Sequence, residues 1–329
     1  MRVTLNWLRK RLTGLFAGAG LGAQDTAVLV DILLDAEASG RRTHGLIRVR
    51  PMLKHLATSG HQPGRWLKEE AACALYDGQG GLGYLVTYAC TLKVMELLER
   101  SPLAVVGARG ATHTGPIGYF AGQCARQGLV TFFFTNCSPF AAPYGAREAI
   151  LGTNPITIGL PGDPEPVVVD LATTATTYGE CRVALEEGRS LPEGVALDSR
   201  GAPTTDPAEA IHGGALLPFG GHKGYALALA IQVLTTALTG ASAIPGAGED
   251  YGLSIIALRK DLLVGGESYD RITAEVLRAV KAARPLDQSK PVLIPGERSA
   301  GLRRQALESG IEIEPQLYEK LFGKAEEAQ

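Results

Sequence analysis

Every stretch of this 329-residue chain that reads as a strand falls between about Ala74 and Val264, and both ends read as helix. No other feature restricts the possible folds as tightly. Leu103 to Val106, Val130 to Thr135, Ile156 to Leu160, Val167 to Leu171 and Ser254 to Leu258 are short runs rich in β-branched or aromatic residues, as buried strands are. Apolar residues recur at helical spacing over Leu5 to Ala17, Gln24 to Ala38, Leu85 to Arg100, Ile117 to Gln127, Lys223 to Leu238, Tyr269 to Ala283, Leu302 to Ser309 and Pro315 to Phe322. In the first helix Leu5, Leu8, Leu12 and Phe16 share a face; in the second Val28, Leu29, Ile32, Leu33 and Ala36 do, with Gly40 as a stop. The expectation is an α/β chain with a central sheet domain, residues 73–267, flanked by a helical layer built from both termini, residues 1–72 with 268–329.

Composition narrows the function. Hydrophobic residues make up 45%, charged residues 20%, and the formal net charge is -2. Such a chain lacks the low hydrophobicity of disorder and the basic field that a nucleic acid partner requires. No unbroken run of about 18 apolar residues suggests a membrane span. The cysteines Cys73, Cys90, Cys124, Cys137 and Cys181 are odd in number and never spaced CxxC. That argues against a disulfide framework and a structural zinc site, so no metal is expected and a reducing cytoplasm is. "LRKRLTGLFAGAGLGAQ" imitates a secretory signal, but it is short, Gly-rich and part of the first amphipathic helix. The Glu-rich tail after Gly323 is expected to fray.

Four segments carry chemistry. "RRTHGLIR" follows a helix and gathers Thr43, His44 and Arg48: a hydroxyl to orient an imidazole, an imidazole to carry a proton, a guanidinium to clamp a carboxylate. The bland alternative is a solvated loop. "YDGQGGLGYL" holds a formal GxGxxG at Gly78, Gly80 and Gly83 between a strand and a helix. The acidic ribose partner is missing at the end of "LAVVGARG", so these glycines also read as turn and packing residues, while an Arg there could favour a 2′-phosphate. "FGGHKG" delivers Lys223, through Gly220, Gly221 and Gly224, to the start of a long helix, where free N–H groups and the dipole favour an anion such as a nucleotide phosphate. "RGATHTGPIGYFAG" sets His113 between a strand and a helix. "PYGAREAILGTNPITIGLP" and "VDLATTATTYGECR" read as irregular segments rich in hydroxyls and amides.

Together "DAEASGRRTHGLIR", "PYGAREAILGTNP", "VDLATT", "PEGVALDSRGAPTTDP", "LLPFGGHKG" and "IPGER" resemble, in order and spacing from about Thr4 to Leu321, the malate/L-lactate dehydrogenase-like oxidoreductases, also called sulfolactate dehydrogenase-like. The resemblance implies a non-Rossmann, mixed-sheet NAD(P)-binding domain and a helical substrate and dimerisation domain from both termini. It implies a homodimer that reduces a small 2-oxo or cyclic 2-imino carboxylate with NADPH or NADH. The family's Ser-His-Gly is here Thr43-His44-Gly45, and Arg48 matches its carboxylate-binding arginine. Thr153 lies in the shared Gly-Thr-Asn at the substrate. His113 matches the histidine before the nicotinamide-contacting helix, so His113, Thr114, Gly115, Pro116 and Ile117 are implied at the cofactor. Asp170, Ala172 and Thr173, the turn at His222, Lys223 and Gly224, and Arg298, Arg303 and Arg304 after the shared Pro-Gly-Glu join them.

One departure separates subgroups. Where the 2-hydroxy acid dehydrogenases tend to carry Gly-Lys, this chain has Gly179-Glu180, resembling the Gly-Asp of the Δ1-piperideine-2-carboxylate and Δ1-pyrroline-2-carboxylate reductases. Their Ser-His-Asp relay carries onto Thr43, His44 and Glu180. The sequence therefore reads as a ketimine-carboxylate reductase first and a 2-hydroxy acid dehydrogenase second. NADPH is expected over NADH because the late arginines offer phosphate partners. A hydrolase lacks a paired nucleophile and base; a non-catalytic nucleotide-binding module is the remaining rival.

Overall fold

The computed structural model describes residues 1–246 and 250–323; the expected fraying tail lies outside them. Thr4 caps the first helix, α1 (Leu5–Gly18), by accepting the Trp7 N–H, and Leu8, Leu12 and Phe16 are fully buried one turn apart. Helix α2 (Ala23–Ala38) is buried on most sides because it lies between α1 and the rest of the core. Two 3-10 turns, Arg42–His44 and Leu46–Arg48, lead into α3 (Val49–Ser59), an addition to the expected elements. Pro51 sits in its first turn, where a missing N–H costs no helical bond.

The main sheet has seven strands: β2 (Arg65–Glu69), β3 (Cys73–Gly81), β4 (Leu103–Ala111), β11 (Tyr251–Arg259), β5 (Leu129–Thr135), β6 (Ile156–Leu160) and β7 (Val167–Leu171), in that spatial order. Only β3 and β4 pair in parallel, joined by α4 (Gly83–Leu98); the other neighbours are antiparallel. The sheet is mixed, as expected, and is not a doubly wound parallel sheet.

Period-two alternation splits the layers. Leu253, Ile255 and Ala257 of β11 belong to the main core with residues of α2, α4 and α5 (Ile117–Arg126). Ser254, between them, instead donates through Oγ to the Leu234 carbonyl at 2.7 Å, so α8 (His222–Thr236) covers the opposite face.

A smaller lobe holds a three-stranded sheet, β8 (Ala196–Leu197), β9 (Pro203–Thr204) and β10 (Ala215–Leu216), with α6 (Tyr178–Glu186) and α7 (Pro207–Ile211) around Leu151, Cys181, Ala184 and Leu216. Tyr178–Arg182, the end of a segment expected to be irregular, opens this helix because Thr177 caps it, accepting the Glu180 N–H at 3.1 Å, and Cys181 and Ala184 are buried beneath it.

The C-terminal part adds α9 (Gly266–Lys281), α10 (Glu297–Ser309), β12 (Ile311–Glu312) and α11 (Pro315–Phe322). β12 pairs with β1 (Arg2–Val3), Met1 and Ile313 exchange backbone bonds, and Trp7 stacks on Tyr318 at 5.6 Å. Strands therefore occur outside the expected Ala74 to Val264 window. β2 also crosses the expected boundary at residues 72–73 by pairing with β3, because a two-strand hairpin cannot be cut between its partners.

Candidate active site

The turn after α2 is fastened from beneath. Glu37 Oε2 accepts the Leu46 N–H at 2.9 Å, and Gly45 lies against the same carboxyl, whose pKa is raised by burial. On the open side, Thr43 Oγ1 and His44 Nδ1 are 2.9 Å apart. Arg48 Nε donates to the Thr43 carbonyl at 2.7 Å, leaving both Nη nitrogens without a partner among the described residues. The expected trio of Thr43, His44 and Arg48 is thus one hydrogen-bonded unit.

His113 reaches the same place from the end of β4. Its ring centroid lies 5.1 Å from that of His44, and its buried Nδ1 has no partner among the described residues. Gly83 makes this approach possible: its N–H donates to Thr112 Oγ1 at 3.0 Å, and a Cβ there would fall 2.4 Å from the His113 carbonyl oxygen. The formal GxGxxG thus opens a true β3–α4–β4 unit, but its last glycine seats the His113 loop.

Both imidazoles are neutral at ordinary pH. Burial, then the charges of Arg48 and Arg41, pushes His44 down to about 3. Burial, then Arg48 and His44, takes His113 well below its usual range.

Thr153 stands on the opposite wall. Its Oγ1 lies 3.5 Å from Cys137 Sγ, and the Arg48 charge lowers the pKa of that thiol against the larger effect of burial, so Arg48, Cys137 and Thr153 share a neighbourhood. Thr173 is fully buried and donates to the Thr153 carbonyl through both N–H and Oγ1, at 2.9 Å each. Its own carbonyl accepts the Phe219 N–H at 3.0 Å, which ties the Gly-Thr-Asn segment and Ala172-Thr173 to the turn before α8.

Glu180 departs from expectation. Gly179 packs against the Thr43 methyl, since a Cβ there would fall 2.9 Å from Thr43 Cγ2. The Glu180 carboxylate, half exposed, instead accepts from Arg189 at 3.1 Å, and no bond to His44 is made. Thr43 and His44 are joined; the backbone of the third relay member passes beside them, but its carboxylate is turned away to Arg189.

The residues expected at a cofactor divide into two groups. Thr114 to Ile117 form the loop into α5, with Pro116 as its N-cap, and the Gly118 N–H in its first turn is held by Asp170 Oδ2. His222 and Lys223 are exposed at the uncapped start of α8, and Lys223 has no ion-pair partner among the described residues. A Cβ on Gly224 would fall 2.3 Å from the Phe219 carbonyl, so the turn tolerates only glycine. Of the second group, the late arginines, only Arg303 lines a cleft between α5 and α10, together with Arg41 and Arg126. Arg303 is paired with Asp35 at 2.9 Å, Arg304 with Glu165 at 3.5 Å, and Arg298 is exposed.

The uncapped start of α8 and the arginine cleft suit the phosphates of a dinucleotide. Asp35 and Glu165 line the same cleft, supplying carboxylates that the search for a ribose partner did not find. Asp170 is not available to a ligand. Its Oδ1 accepts from Thr157 at 2.7 Å, and its Oδ2 accepts the Gly118 N–H at 3.2 Å and pairs with Arg41. It anchors the α5 loop from behind. A separate cavity of about 370 Å³ in the smaller lobe, between Phe140, Tyr178 and Ile211, is lined by none of the expected site residues.

Tyr84, Glu37, Arg41 and Cys137 went unforeseen. Glu37 could have been found as the acid within the buried run "DAEASG"; Tyr84 and Cys137 have no local signal, because fold alone brings them to the site.

A family model described as malate/L-lactate dehydrogenase matches residues 3–322. The chain is 34% identical to an L-sulfolactate dehydrogenase of Methanocaldococcus jannaschii over 92% of this chain and 90% of that one. Its fold matches the solved structure of a dehydrogenase from Sinorhizobium meliloti with a TM-score of 0.91 at 32% identity, covering 98% of this chain and 97% of that one. It matches a Δ1-piperideine-2-carboxylate reductase from Pseudomonas syringae pathovar tomato with a TM-score of 0.88 at 30% identity, covering 98% of each chain.

Proposed function

The chain belongs to the malate/L-lactate dehydrogenase family and is an oxidoreductase, and from that premise we propose that it reduces a small cyclic 2-imino carboxylate at C2, using NADPH or NADH. The observation that carries this reading is the packing of both imidazoles, 5.1 Å apart, beside the Arg48 guanidinium, an environment that disfavours their charged forms. Reducing a 2-oxo acid requires an acid to protonate the new alkoxide, and an imidazole that titrates near 3 is a poor donor at pH 7. A carboxylate bound to Arg48 relieves part of the depression, but burial is the larger cause and remains. A protonated cyclic imine carries its own proton: hydride adds to C2, the C=N electron pair passes to nitrogen, and the product is a neutral amine.

In this scheme Arg48, with two free Nη groups, clamps the carboxylate. His44, oriented by Thr43, accepts the iminium N–H and excludes water, and His113 lines the nicotinamide face. A bound nicotinamide supplies the hydride. Glu180, swung from Arg189 toward His44, adds a negative charge beside the cationic imine. The loop 114–117, Thr173 and the Lys223 turn hold the cofactor, with the cleft at Arg303 taking a phosphate. NADPH remains the preferred form, although Asp35 in that cleft supports NADH as well.

Absorbance assays of NADPH and NADH against pyruvate, oxaloacetate, 3-sulfopyruvate, Δ1-piperideine-2-carboxylate and Δ1-pyrroline-2-carboxylate test the proposal. The two imines are expected to turn over fastest; activity confined to the oxo acids sinks it. A second reading, a 2-hydroxy acid dehydrogenase, is favoured by the Glu180–Arg189 pair, which leaves no carboxylate on His44. There a neutral His44 or His113 takes the hydroxyl proton during oxidation.

The exposed apolar face of α9, Ile272, Val276 and Val280, supports a homodimer in which a second copy covers it. Light scattering that returns a monomer mass counts against that. Free thiols at all five cysteines support a reducing compartment, the cytoplasm.

A further inference from the structure

We infer that Tyr84 is a positioning residue that sets the two imidazoles against each other, an inference that rests on the reading of His44 as the group in contact with the reacting nitrogen or oxygen. Tyr84 is fully buried in the first turn of α4, just after the glycine that seats the His113 loop. Its hydroxyl donates to the His44 carbonyl oxygen at 2.7 Å. The same ring packs against His113, with centroids 5.9 Å apart and planes tilted by 34°. Gly115, at φ +94°, lies flat on that ring; a Cβ there would meet it at 3.0 Å.

One turn later, Thr87 Oγ1 bonds to the Thr114 carbonyl at 3.0 Å, so α4 holds both sides of the His113 loop. Two chain segments about seventy residues apart in sequence thus take their spacing from one side chain. Tyr84 does not move the proton itself, because burial holds its phenol protonated far above ordinary pH. Its hydroxyl fixes where the His44 backbone lies, and its ring fixes the His113 plane. The 5.1 Å separation of the imidazoles follows from these two contacts.

A displacement on the order of 1 Å at a reacting group costs about 10²-fold in rate, so losing only the hydroxyl is expected to cost about tenfold. Tyr84→Phe, assayed on the folded chain with its preferred substrate, should therefore lower kcat about tenfold and leave the substrate KM and cofactor Kd within about twofold. The decisive measurement is the same substitution in a His44→Ala background. There Tyr84→Phe is expected to change kcat by less than about twofold, because the group it positions is gone.

An equal tenfold loss in both backgrounds, or no loss in the wild type, overturns the role of Tyr84. A kcat that His44→Ala leaves unchanged overturns instead the reading of His44 on which it rests. If Tyr84→Phe fails to fold, 3-fluorotyrosine at position 84 keeps ring and hydroxyl. Its fluorine resonance is expected to shift when NADP⁺ or NAD⁺ saturates the His113 loop, and a resonance that both leave unmoved overturns the inference.

Discussion

Burying an imidazole next to a guanidinium makes its neutral form the stable one, and His44 and His113 share that environment. The consequence for stability has a definite sign. Between the ordinary value of 6.5 and about 3, the unfolded chain binds a proton at His44 that the native chain refuses, so the native state loses stability as pH falls through that window. Melting temperature is therefore expected to drop from pH 6.5 toward pH 4 and to drop less in His44→Gln; identical profiles would show that the imidazole is not held neutral. For turnover, His44→Ala removes the acceptor that orients the iminium N–H and is expected to reduce kcat on the order of 10²-fold with cofactor affinity nearly intact. If His113→Ala has that effect and His44→Ala does not, their roles are exchanged. At this scale Thr43, His44 and Arg48 were legible, because a hydroxyl, an imidazole and a guanidinium within six residues of one turn must lie near each other. The orientation of Glu180 was not. Its place in sequence fixes where its backbone goes, but a competing Arg189 nine residues on decides where its carboxylate points.

The elements that carry the site are held by close backbone approach more than by side-chain bonds. Gly83, where β3 hands over to α4, admits the Thr112 and His113 carbonyls to within the space a methyl would fill. Gly83→Ala is expected to push that loop outward and abolish most turnover while lowering the melting temperature by several degrees; an active, stable variant would mean the loop has slack. Helix α6 depends on a different device. Thr177→Ala removes its N-cap, at a typical cost of about 1 kcal/mol, and is expected to raise amide exchange over residues 178–181 without unfolding the chain. That helix was hidden because the run "TTATT" before it and Gly179 in its first turn are poor helix formers, and only the cap and the burial of Cys181 and Ala184 reveal it. The buried strands, by contrast, were legible at their centres and too short at their ends. β4 runs on to Ala111 through Gly107 and Gly110, where glycine stands on a strand whose neighbours approach closely.

Beside the smaller lobe's own cluster, the larger apolar core runs from α1 and α2 through the sheet to Ile313 and Leu321, on both sides of residues 72–73. One cooperative unfolding transition by calorimetry is the expected result; two separated transitions would restore a two-unit chain. The helical character of both ends was readable from periodicity, but their union was not. β1 and β12 are two residues each, and nothing in "RV" or "IE" announces a strand until the partner is known. That short ribbon brings the first and last described segments side by side, with Arg11 reaching the Phe322 carbonyl at 3.3 Å and Trp7 in edge contact with Phe322. Because Met1 and the last described helix lie side by side, the chain can be re-cut: a peptide linker between these segments and new termini in the exposed stretch at residues 285–290 would give a circular permutant that keeps every contact of the active site.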